Sequence, residues 1–297
     1  MGSSSRGWAS SAASAPGSDP LRQAAALLLF LLISASAAAS APLRVVSINL
    51  CTDQLVLMLL DRERVASVTW LSLDPAMSVV ADIARTLPVN HGLSEEILPF
   101  RPDMVIASIH TTRISISMLR RVGVPVVELD VPKTIDDVKA QLASVGRLLG
   151  VEEHGARLAA TLGDAVAAIP SPEVRRPTVV VLQPNGLTVG AGSLVNELLQ
   201  RAGFDNLAAR RVLDGTGRLP LDVLILARPD LLILNAYGSW SPSLAQEGLS
   251  HPALIRAFGT RRTLNTPPRD WICGGPPIAD ALARLSEARR SIIAGRP

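Results

Sequence analysis

The chain is predicted to be α/β, with two Rossmann-like parallel-sheet lobes joined by a long connector helix. Three observations predict this. Apolar strands alternate with helices, a proline-free helical stretch divides the strands into two groups, and one motif occurs once in each group. Strands that are apolar along their whole length and alternate with helices belong to parallel sheets covered on both faces. The motif reads EEILPFRPDMVIAS from Glu95 to Ser108 and DVLILARPDLLILN from Asp222 to Asn235. Aligned on Pro102 and Pro229, Glu95 and Asp222 both stand seven residues before the proline, and Leu98/Ile225, Arg101/Arg228 and Asp103/Asp230 coincide. Pro and Asp favour turns at any helix-to-strand junction. An acid at the same offset in both copies is more specific, and it points to two equivalent lobes.

The elements follow in order. RVVSINL (Arg44 to Leu50) is β-branched and apolar, hence a strand, and the helix of QLVLMLLD comes next with Thr52 or Asp53 as its N-cap. RVASVTW, DMVIAS and VPVVELD are further strands, the last two separated by a helix around Ser115 to Arg121. From Ile135 to Ile169 the spacing of Val138, Leu142, Val145 and Leu149 reads as one long helix, or as two broken near Gly150. Strands resume with TVVVLQ (Thr178 to Gln183), then a helix from Ser193 to Ala202, the strand DLLILN and a C-terminal helix within PPIADALARLSEARRSI. The expected organisation is a leader over 1–40, a first lobe over 41–133, a connector over 134–170 and a second lobe over 171–297.

With 48% hydrophobic residues the chain has ample material for a core, which excludes a disordered polymer. The net charge is only +3, and Lys/Arg runs never exceed two residues, so nothing marks a nucleic-acid surface. AAALLLFLLI (Ala24 to Ile33) is too short to span a bilayer. Arg22 before it and the small residues SASAAASA after it make a secretory signal peptide, with cleavage expected after Ala37, Ala39 or Ala41. The two cysteines are Cys51 and Cys273. Cys51 is preceded by Asn and Leu rather than small residues, which does not suit a lipid anchor. In an oxidising compartment the two can pair, or stay as separate thiols; spacing leaves this open.

Given GLSEEILPFRPDMVIAS, GVPVVELD, the helical connector and the segment from Trp271 into the last helix, the chain resembles the periplasmic-binding proteins of ABC importers for iron-siderophores and cobalamin. The resemblance spans about Arg44 to Ile293. It fits the pattern Glu-x-Ile-x-x-x-x-Pro-Asp-Leu-Val at Glu95, Ile97, Pro102, Asp103 and Val105. It implies two α/β lobes rigidly joined by a helix, a ligand held between them, and one acid per lobe docking onto arginines of the permease. The matching acids are Glu95, with Glu96 as the adjacent alternative, and Asp222, where the family usually has Glu. Two carboxylates on separate lobes suit charge-assisted pairing with Arg at two points.

Ligands of α/β lobes bind beyond the carboxyl ends of the parallel strands. That rule selects Asn49, Cys51, Thr52, Trp70, His110, Arg113, Gln183, Asn185, Tyr237, Trp240, Asp270 and Trp271 as ligand-binding candidates. Three of the four tryptophans and the single tyrosine are among them. Flat aromatic surface with a few polar groups suits a large, partly apolar ligand such as a corrinoid or another metal chelate, and Arg113 suits an anionic group on it. His91, His110, His154 and His251 lack HxH or HxxxH spacing, and His154 is expected at the surface. TVGAGS (Thr188 to Ser193) precedes a helix and is a weak candidate for an anion cradle. GxSxG, Walker and HExxH motifs are absent from the sequence, so no catalytic residues and no resident cofactor are expected.

The resulting expectation is a periplasmic, monomeric solute-binding component of an ABC importer, not an enzyme. It would capture a ferric siderophore or a corrinoid and deliver it to the permease. The alternatives are a bare zinc- or manganese-binding protein of such an importer, or a secreted α/β enzyme.

Overall fold

The strand at Val45–Ser47 (β1) is short because Asn49 turns the chain straight into a helix, Leu50–Leu59 (α1). The Asn49 side chain accepts from the Cys51 amide and caps that helix. Helix α1 therefore starts earlier than its sequence suggests, and Asp53 falls in its first turn instead of at its cap. In this computed structural model the described residues are 44–170, 176–211, 214–235 and 244–295; the expected leader, Tyr237 and Trp240 lie outside them.

The first lobe continues with β2 (Val65–Thr69), α2 (Ala81–Ala84), β3 (Val89–Asn90), α3 (Ser94–Ile97), β4 (Met104–Ser108), α4 (Arg113–Arg121) and β5 (Val126–Leu129). Its sheet has the order β3-β2-β1-β4-β5, with every pairing parallel. Helices α5 (Ile135–Leu148) and α6 (Glu152–Ala167) follow. The second lobe holds β6 (Thr178–Leu182), β7 (Leu187–Val189), α7 (Leu194–Arg201), β8 (Asp205–Asn206), β9 (Thr216–Arg218), α8 (Leu221–Ala227) and β10 (Leu231–Leu234). It ends with α9 (Leu244–Glu247), α10 (Pro252–Phe258), β11 (Thr263–Asn265) and α11 (Ile278–Ile293). Its main sheet, β11-β10-β6-β8, is also parallel, and β7 and β9 form a separate two-stranded antiparallel sheet.

The two-residue side-chain period of each strand divides its residues between two cores. Val46, Val105 and Ala107 face an outer layer with Ile97, Ile116 and Leu119. Val45 and Ile106 face inward, onto α1 and α5. In the second lobe Val180, Leu182 and Leu232 pack outward with Leu224 and Phe258, whereas Val179, Val181, Leu231 and Ile233 join the inner core. That inner core runs through both lobes and the connector without a break: α1, α5, α7, α11 and Trp271 all contribute to it.

The connector is a pair of packed helices, not one long helix. The Thr134 hydroxyl accepts from the Asp137 amide while the Asp137 carboxylate accepts from the Thr134 amide, a capping box that starts α5. Gly150, at φ 71°, ends it. The chain then folds back, and a Cβ on Gly155 would lie only 2.5 Å from the Leu142 carbonyl oxygen and 3.0 Å from the Gly146 Cα. The pair is fastened to both lobes. On the first, Arg64 donates to the Leu149 carbonyl at 2.6 Å and His154 Nε2 to the Met58 carbonyl at 2.9 Å, so His154 is packed against α1 instead of lying free at the surface. On the second, Arg201 reaches the carbonyls of Val166 and Ile169 at 3.3 and 3.2 Å. The Glu197 carboxylate accepts from the Ile135 amide at 2.6 Å.

The repeat seen in sequence is a repeat in space. Arg101 and Arg228 both take the left-handed conformation, at φ 46°, ψ 58° and φ 45°, ψ 57°. Four residues earlier, Ile97 and Leu224 are both fully buried. Two residues later, Asp103 accepts from the Arg44 amide at 3.0 Å and Asp230 from the Thr178 amide at 2.8 Å, each pinning the first strand of its lobe beside the strand that follows the motif.

Candidate functional site

In both sheets the chain lays strands to one side of the first strand and then crosses to the other. This creates a switch point between β1 and β4 and another between β6 and β10. Ligands of open parallel sheets sit beyond the carboxyl ends of strands at such points. Here those ends are followed by Asn49 and His110 in the first lobe and by Gln183 and Asn235 in the second.

The segment after β11 links the second lobe to the first. Thr266 still bonds to β10 through the Leu234 carbonyl. Arg269 then crosses to the first lobe, its amide donating to the Ala76 carbonyl at 3.1 Å and its guanidinium to that of Pro75 at 2.9 Å. Cys273 forms a disulfide with Cys51, their Cα atoms 5.1 Å apart. The question left open by spacing is answered: the two thiols pair.

Of the sequence candidates, Trp70 is half-buried in the tight turn after β2, its ring 6.3 Å from that of His91 and tilted by 32°. His110 is exposed after β4. Gln183 is half-buried after β6, and Asn185 is exposed in the turn from β6 to β7. Its φ of 61° explains the Asn there, since Asn tolerates the left-handed region. Asn49 is half-buried, with its carbonyl engaged in the cap.

Other candidates are buried or paired within the protein. Thr52 is 3% exposed, and its hydroxyl is engaged with Ser47 at 2.7 Å and the Asn49 carbonyl at 2.9 Å, so it faces the lobe interior. Trp271 is 2% exposed because its ring fills the inner core shared by the connector and α11. Asp270, 8% exposed, is neutralised by Arg284 at 2.5 Å. Arg113 shares Glu128 with Arg120, at 2.6 and 2.9 Å, and its side chain stays exposed. Cys51 is committed to its bridge. Ser193 of TVGAGS caps α7 by accepting from the Asn196 amide, and Gly190 bonds to Gly215; these are structural roles.

Sequence reasoning missed the polar layer beneath the first lobe's strand ends. Asp53 is wholly buried there and accepts from the Thr69 amide at 3.1 Å and from the Thr69 hydroxyl. Ser72 donates to the Thr69 carbonyl, and Asn90 donates to the Ser47 carbonyl and the Ser67 hydroxyl. Burial pushes the Asp53 carboxyl up to about 7, against the opposing hydrogen bonds from Ser47, Thr69 and Ser72. This layer sets the turn that carries Trp70. The available signal was a run of Ser, Thr and Asn at positions where wholly apolar strands would carry Val or Ile.

Glu95 and Asp222 are both exposed, at matched positions of α3 and α8. Glu96 is engaged with the His91 amide at 2.6 Å and ring at 3.0 Å, which leaves Glu95 as the outward-facing acid of the pair. His251 accepts from the Ala253 amide and caps α10. Among the described residues no three His, Cys, Asp or Glu side chains converge as a metal site would require.

Two parallel-sheet α/β lobes joined by a helical connector define the class of fold. The chain belongs to the periplasmic binding protein family, which it matches over residues 45–253. It is 25% identical over 261 residues to a cobalamin-binding protein of Halobacterium salinarum, covering 84% of this chain and 70% of that one. Among solved structures it is similar to the periplasmic heme-binding protein RhuT of Roseiflexus sp. RS-1, with 23% identity and a TM-score of 0.69, over 84% of this chain and 98% of that one. The periplasmic vitamin B12 binding protein BtuF of Vibrio cholerae has 14% identity and a TM-score of 0.67, over 85% of this chain and 98% of that one. The expected fold and the family that the sequence resembles are thus borne out.

Proposed function

We propose that this protein captures a metal chelate between its lobes and hands it to an ABC permease, and that the chelate is a corrinoid or a ferric siderophore. The observation that supports the reading is the 266–275 segment, which ties the second lobe to the first through Arg269 and the Cys51–Cys273 bridge; Asn49, Trp70 and His110 on the first lobe and Gln183 and Asn185 on the second are the residues that would meet the ligand. Half-buried aromatic surface beside neutral polar groups suits a bulky ligand that is partly apolar. The cobalamin-binding relative favours a corrinoid within this class. The chelated metal arrives as cargo, so the protein itself needs no cofactor. Glu95 and Asp222, one per lobe, supply the docking charges for the permease.

Tryptophan-fluorescence titration of the leaderless chain with hydroxocobalamin, a ferric hydroxamate, haem and zinc tests the reading. Saturable quenching by one chelate, weakened by Trp70→Leu, is the expected result. A response to zinc alone would overturn it in favour of a bare-metal carrier.

A further inference from the structure

The disulfide lies where a hinge would have to work. Cys51 opens α1 at the carboxyl end of β1, in the first lobe; Cys273 follows β11, in the second. The bridge is one of several ties along the same strap. Arg269 is bonded through both its amide and its guanidinium to the Pro75–Ala76 backbone. Gly275 lies beside Met58 of α1. Gly274 passes so close to the chain that crosses between lobes that a Cβ there would stand 2.4 Å from Pro132 Cγ and 2.9 Å from Val138 Cγ2. The crossing at 130–134 and the strap at 269–275 therefore run side by side, and the strap is welded covalently to the first lobe.

We propose that the Cys51–Cys273 bridge is a removable lock on lobe opening. With the bridge intact, the two sets of strand ends are held at a fixed spacing and the cleft is preformed. Without it, the strap keeps only its hydrogen bonds and packing to the first lobe, and the second lobe swings about the 130–134 crossing and the α5–α6 pair. Unlocking is a balanced exchange. A dithiol reductant gives two electrons and two protons, the S–S bond breaks to two thiols, and the dithiol closes to its own disulfide. An oxidising compartment keeps the lock closed.

The test uses the leaderless full-length chain with distance labels on bioorthogonal residues placed at exposed Glu63 and Arg261, one on each lobe. Distances are measured oxidised, after dithiothreitol, and in the C51S/C273S variant. The expected result is a label-to-label distribution at least about twofold broader in the reduced and variant proteins than in the oxidised one, with circular dichroism unchanged. An unchanged distribution would overturn the proposal. So would loss of the helical signal on reduction, because the bridge would then hold the fold together instead of limiting opening. No ligand is added, so this result stands apart from the function proposed above.

Discussion

Asp53 shows how far burial alone can move a side chain's chemistry. Its carboxyl is pushed from an ordinary 3.8 up to about 7 by desolvation, which the hydrogen bonds from Ser47, Thr69 and Ser72 only partly offset. Between those values the native state holds a proton that the unfolded chain has released. Stability therefore falls as pH rises from about 4 to 7 and levels off above, by at most about 4 kcal/mol. Asp53→Asn retains an acceptor for the Thr69 amide but cannot ionise. Its urea-unfolding midpoint is expected to decline less over this range than that of the wild-type chain. Equal slopes for the two proteins would assign the pH dependence elsewhere. Glu197 acts in the same direction, because burial and then the neighbouring Asp136 and Asp137 raise its carboxyl as well.

At the scale of elements, the α5–α6 pair does what a single long helix cannot. A continuous helix offers one stripe to each lobe, whereas the folded pair buries Ile135, Val138, Leu142 and Val145 on one helix and Leu162 on the other in the core that both lobes share. Gly146 and Gly155 allow the close approach. Two opposing effects meet at Gly155→Ala. Helix propensity favours Ala by about 1 kcal/mol, but a methyl 2.5 Å from the backbone oxygen of Leu142 must push the helices apart. Overpacking against backbone costs about 1–3 kcal/mol, so a net loss is expected, read as a lower thermal midpoint. A gain in stability would mean that the pair separates without cost to either lobe.

For the whole molecule, the matched acids matter because they are far apart in sequence and alike in setting. Each begins a short helix that enters a left-handed Arg and then a pinned strand. Charge reversal by Glu95→Lys together with Asp222→Lys is expected to reduce uptake by at least about tenfold while chelate affinity of the isolated protein changes less than about twofold. Transport and fluorescence titration measured side by side separate the two effects. Loss of affinity instead would move these acids into the cleft. The covalent strap adds a second constraint at this scale, beside the core that both lobes share.

Local chemistry accounts for what was legible in the sequence. The alternation of apolar strands and helices and the Pro-anchored repeat each depend on a few neighbouring residues, and a left-handed Arg before Pro-Asp looks the same in both copies because the same turn is made twice. Strand ends were legible for the same reason: Trp70, His110 and Gln183 do follow β2, β4 and β6. Which way a strand-end side chain points was not legible. Thr52, Asp270 and Trp271 obey the same positional rule, yet they face the interior because α1, α5 and α11 stack into one core behind them. The choice of two packed connector helices over one, and the pairing of Cys51 with Cys273 across 222 residues, were likewise decided by tertiary packing. Local propensity carries no information about which distant layer will close over a given face; that follows only when all the layers bury their apolar surfaces together.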